Sequence, residues 1–192
     1  RLKSKPLHLW QKIEKQAAAF MAQGKWKSAF DTLIKYEPVL THNKNLTNQI
    51  IYASLKMEYY DYAIDQLQLA LNQNDEMRAL NETRQDKETI LAHVYYLSEK
   101  YDKATVLYTK LLKEDNSTEA AKYLFLVGYK LKNLESMKNY LAVMGDSHVN
   151  FVEYSILTAK VELSKGQVTE ARERLAQQFE QHPDNQNVVF EY

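Results

Sequence analysis

Residues Gly24 to Leu33 read GKWKSAFDTL, in which Trp26 is followed three positions on by Ala29 and four beyond that by Leu33. The same order returns as EYYDYAIDQL at Glu58 to Leu67, EKYDKATVLY at Glu99 to Tyr108, KNLESMKNYL at Lys132 to Leu141 and GQVTEARERL at Gly166 to Leu175. With Ala29, Ala63, Ala104, Met137 and Ala171 as anchors, the spacings are 34, 41, 33 and 34 residues. A period in this range marks a solenoid, in which each unit stacks on its neighbours.

Residues three before each anchor (Trp26, Tyr60, Tyr101, Leu134, Val168) and four after it (Leu33, Leu67, Tyr108, Leu141, Leu175) share one helical face with it. Twelve residues before the anchors stand Ala17, Ala92 and Ala159, with Ile51 and Phe125 as departures. A small residue there lets a preceding helix approach closely. Each unit therefore reads as two antiparallel helices joined by a short turn, which Gly24, Glu58, Glu99, Lys132 and Gly166 occupy. Pro38 and Pro183 fall where second helices end.

Composition agrees. In 192 residues there are only four glycines and three prolines, too few for the turns of an all-β fold, while 45% of residues are hydrophobic. The absence of cysteine excludes disulfides, thiolate zinc sites and thiol nucleophiles. No apolar run reaches the ~20 residues that span a bilayer, so a soluble domain is expected, with cytoplasm and periplasm equally compatible. The chain opens on Arg1 and closes on an apolar stretch at 186–192 that reads as the start of a further, truncated helix. A piece of a longer protein is expected, with Val188, Val189 and Phe190 exposing an uncovered face.

The 34-residue period, the small–aromatic–alanine order and segments such as LAHVYYLSEKYDKATVLYTKLL resemble the tetratricopeptide repeat (TPR) family from about Gln11 to Pro183. The resemblance implies an all-α fold, a right-handed α-solenoid of about five helical hairpins at 10–43, 44–77, 85–117, 118–151 and 152–185, forming a single domain. The fourth copy departs most, with Met137 for the anchor alanine and Phe125 for the small residue. The long interval falls in NQNDEMRALNETRQDK, from Asn72 to Lys87, which reads as a surface insertion that two added helical turns absorb.

Chemistry is sparse. The glycines are too scattered for a phosphate-cradling loop, no HExxH, GxSxG or GxxxxGK[ST] occurs, and the five histidines never fall in ligand spacing. No enzyme, cofactor or metal is expected. Asn-x-Ser/Thr triplets at Asn45, Asn81 and Asn116 carry no weight at this composition. Net charge is zero but unevenly spread: residues 1–56 hold ten Lys and Arg against three acidic side chains. Solvated helix faces account for such a split.

Binding is the remaining function. The first helix of each unit carries a stripe at 15, 11 and 8 residues before the anchor, and in TPR stacks such stripes line a concave groove. Its candidate partner-binding residues here are Asn48, Tyr52, His93, Tyr96, Lys122, Tyr129 and Lys160. Tyrosine joins apolar area to a hydroxyl at low entropic cost, as a peptide anchor does. Tyr52, Tyr96 and Tyr129 are thus expected to be partly exposed, and Tyr60 and Tyr101 buried in the stack. A clamp for a chaperone's C-terminal carboxylate, another mode of the family, would need Lys and Asn where Glu14 and Ala18 stand.

The expected function is a non-enzymatic scaffold or adaptor that binds a peptide or partner protein. The alternative is a regulatory or targeting segment of a larger enzyme or membrane-associated machine, with any membrane contact made by other segments. A small-molecule substrate is not expected. Nucleic-acid binding would need basic residues repeating along the stripe, which supplies only Lys122 and Lys160.

Overall fold

The turn residues set the architecture. In the computed structural model, which describes residues 5–37, 43–72, 81–146, 148–186 and 188, Gly24, Glu58, Glu99, Lys132 and Gly166 all adopt left-handed φ, from 52° to 77°. Each closes the preceding helix with the same pair of hydrogen bonds. Gly24 N–H donates to the Met21 carbonyl and Lys25 N–H to that of Phe20, at 3.0 and 2.9 Å. Equivalent pairs involve Glu58 and Tyr59, Glu99 and Lys100, Lys132 and Asn133, and Gly166 and Gln167. This is the Schellman arrangement, which stops a helix and reverses the chain within two residues.

Among the described residues, ten helices result: α1 (Lys5–Ala22), α2 (Trp26–Ile34), α3 (Lys44–Lys56), α4 (Tyr60–Asn72), α5 (Asn81–Leu97), α6 (Tyr101–Asp115), α7 (Thr118–Lys130), α8 (Leu134–Met144), α9 (Phe151–Ser164) and α10 (Val168–Gln181). The chain is a helical-repeat solenoid. It divides into two compact units, Arg1–Lys100 and Tyr101–Tyr192, so the expected third repeat, 85–117, has one helix in each.

In the first unit α1 packs on α2 and α3, α3 on α4, and α4 on α5. Its core joins Ile13 and Ala17 of α1, Leu33 of α2, and Leu46 and Ile50 of α3. Asn43 caps α3, its side-chain oxygen accepting from Leu46 N–H at 3.1 Å. α5 starts about one turn earlier relative to its repeat than α3 does, which places part of the expected insertion in helix. Residues 73–80 of that insertion lie outside the described residues.

In the second unit α6 packs on α7, α7 on α8, and α9 on both α8 and α10. The five anchors and the five residues four positions after them are all buried. Tyr108, where other repeats have leucine, is enclosed by stacking on Tyr123 at 5.1 Å. In the fourth copy the larger anchor faces a glycine: a Cβ at Gly128 would come 3.2 Å from Met137 Cγ, so α7 leaves the room that Met137 fills. Phe125 is fully buried beside Tyr154.

Three expectations need correction. Tyr60 and Tyr101 are half-buried rather than enclosed, and Val168, their counterpart in the last repeat, is 49% exposed. The position three before the anchor is the first residue of its helix in every repeat, and among the five residues there only Leu134 is buried. Val188 is fully buried instead of exposed, because it turns back onto Ile156, Ala159, Ala171 and Leu175 of α9 and α10. Val189 and Phe190 lie outside the described residues.

Candidate functional site

The first unit holds a groove of about 750 Å³. Its floor consists of Ile51 from α3, Leu67 from α4 and Val94 from α5, all buried in the stack. One wall is α3, through Lys44, Asn48, Tyr52 and Leu55; the other is α5, through Asp86, Lys87, Ile90, His93 and Leu97. The α3 row advances by three or four residues, and so does the α5 row from Lys87 onward, so each wall is a single helical face. Tyr52, Ile90 and Leu97 are 49%, 38% and 55% exposed, leaving apolar surface open to solvent within the groove.

Tyr52 is held by its own neighbours. Its ring meets Trp26 edge to face at 5.5 Å, and the Lys56 ammonium stands 5.5 Å from both rings. An aromatic fixed this way offers a rigid face to a ligand with little entropy left to lose. At the opposite end, where α3 begins, burial and then the nearby Lys44 charge push the Lys87 ammonium below the ordinary lysine pKa.

The structure thus brings three of the seven expected residues, Asn48, Tyr52 and His93, into one groove. Tyr96 is half-buried and is not part of its lining, since α5 contributes the face carrying Ile90, Val94 and Leu97. Lys122, Tyr129 and Lys160 belong to the second unit. There Lys122 pairs with Glu119 at 3.1 Å and lies 5.0 Å from the Tyr123 ring centroid. Tyr129 is half-buried against the α7–α8–α9 core, and Lys160 is exposed. Glu14, which takes the place of a clamp lysine, accepts from Asn45 of α3 at 3.4 Å.

Sequence reasoning missed Lys44, Lys87, Ile90 and Leu97. Continuing the α3 stripe one turn toward its start finds Lys44. The α5 residues required knowing that a groove between adjacent helices uses a different face of each. Among the described residues no group of three His, Asp or Glu side chains is placed to hold a metal, and no helix is long and apolar enough to cross a membrane.

The paired helices, repeated Schellman turns and groove between successive first helices define a chain with the fold of TPR proteins, and solved structures similar to it are consistently of that kind. Among them are a tetratricopeptide repeat protein from Parabacteroides merdae ATCC 43184 (TM-score 0.69, 16% identity, covering 95% of this chain and 70% of that one) and the MamA protein (0.65, 13%, 90% and 91%). A third is YrrB, described as a TPR protein with an unusual peptide-binding site (0.63, 16%, 91% and 87%). No protein-family model and no curated protein matches the sequence significantly.

Proposed function

We propose that this chain is a non-catalytic protein-interaction scaffold, a right-handed solenoid of five TPR-like hairpins acting as one domain, which captures a segment of a partner protein in the groove between α3 and α5. The observation that carries the reading is the groove itself. Exposed apolar side chains from two helices stand over a packed floor, with Asn48 and His93 on the walls to orient a ligand. The peptide-binding site ascribed to YrrB supports the same use of this fold. Recruitment is then the whole mechanism. Both walls are helices packed on α4, so most of the cost of ordering falls on the partner.

Peptides selected from a random library on the wild-type protein test this. Ile90→Glu should weaken them by about 2 kcal/mol, as expected for an anchor position, whereas Leu69→Glu, on an exposed position of α4 outside the groove lining, should not. Both variants should melt close to the wild type. Equal binding by all three proteins would remove the groove as the site.

A further inference from the structure

The groove is chemically graded along its length. Lys44 is the first residue of α3, and Lys87, on the second turn of α5, lines the same groove, where burial and then the charge of Lys44 disfavour its ammonium. Among the described residues neither ammonium has an ion-pair partner. Asp86 stands on the same wall without pairing with either. Further along both helices the lining becomes apolar, ending in Leu55 and Leu97. Two cations held together at one end of an aliphatic trough form a receptor for negative charge, since a carboxylate placed between them relieves their repulsion and gains charge-assisted hydrogen bonds.

The shape narrows the partner. The lining runs from Lys44 to Leu55 and from Asp86 to Leu97, roughly 16 Å of helix at 1.5 Å per residue. That length suits about five residues of extended chain. A nucleic acid would need cations spaced along its whole backbone, and a small anion would leave the aliphatic half unused. We propose that the groove takes a through-running segment of a partner protein, with acidic side chains at the Lys44 and Lys87 end and bulky apolar side chains toward Leu55 and Leu97. This deepens the reading of the groove as a protein-binding site and rests on it.

The probe is a library of random peptides fused through their carboxyl ends, so that no free C-terminus is displayed. Selected peptides should carry Asp or Glu beside Leu, Ile, Phe or Trp, and changing their acids to Asn or Gln should cost about tenfold in affinity, or ~1.4 kcal/mol. Selection on the Lys44→Glu, Lys87→Glu double variant should enrich Lys- and Arg-bearing peptides instead. Should that variant melt early, the single changes Lys44→Gln and Lys87→Gln must each weaken the acidic peptides several-fold. Peptides that depend on Ile90 yet show no acidic preference would overturn the proposal and leave the groove standing. The proposal fails equally if acidic peptides ignore both lysines, or if this library yields nothing while a second library displaying free carboxyl ends yields peptides sensitive to Ile90→Glu. Failure of both libraries to yield any peptide sensitive to Ile90→Glu would overturn the groove reading as well.

Discussion

Glu58, Glu99 and Lys132 occupy left-handed backbone that favours glycine, at φ values of 58°, 60° and 52°. An L side chain in this region costs on the order of 1 kcal/mol, because Cβ crowds the following carbonyl. The hydrogen bonds of the Schellman turn offset that cost in each hairpin. Lys132→Gly should therefore stabilise the protein by about 0.5–1 kcal/mol, reduced somewhat by the greater freedom of glycine in the unfolded chain. Gly166→Val, at φ 77°, should destabilise it by more. Chemical denaturation of the two variants checks both signs. The turn positions were legible in the sequence, because the spacing placed five different residues at one point of the repeat. That all five share one conformation was not, since Glu and Lys carry no signal for positive φ.

The α7–α8 hairpin shows how a repeat keeps its geometry while its consensus fails. Gly128 lies where any Cβ would press on Met137 and Ser136. Gly128→Leu should cost roughly 1–3 kcal/mol through overpacking, and adding Met137→Ala should return a good part of it, which a double-mutant cycle measures directly. Met137 and Phe125 stand out as irregularities against the other repeats, but pairing Gly128 with Met137 required the helix crossing. Next along the chain, Glu162 of α9 is completely buried, with Arg174 of α10 at 2.9 Å and Lys138 of α8 at 3.8 Å. Arg174→Met should destabilise by about 3 kcal/mol, since it strips a buried carboxylate of its main partner; replacing Glu162 by Leu as well should recover most of the loss. Thermal melts of the single and double variants decide it. No periodic pattern marks Glu162, because an acidic residue on a first helix reads as solvated until the facing arginine is known.

Across the chain, the interval between anchors is enough to define the fold class, since an apolar face recurring every 33 to 41 residues can be buried only by stacking. The anchors and their leucine or tyrosine partners are buried as that logic requires. The groove was only half legible. A stripe on one helix is a property of sequence, and it found Asn48, Tyr52 and His93; a groove belongs to two helices, and its α5 wall and cationic end emerged from their packing. The end of the insertion illustrates the point, for Asp86 and Lys87 read as its last two residues yet line the groove from the second turn of α5.

The proposed scaffold role requires a partner segment lying between α3 and α5. Backbone amide shifts of the isotopically labelled protein, followed as a selected peptide is titrated in, locate that segment residue by residue. The largest changes should fall on Asn48, Tyr52, Leu55, Ile90, His93 and Leu97, and they should vanish in Ile90→Glu while the remaining spectrum keeps its dispersion. Changes centred instead on exposed residues outside the groove, such as Leu69 of α4 or Val106 of α6, would refute binding between the two helices.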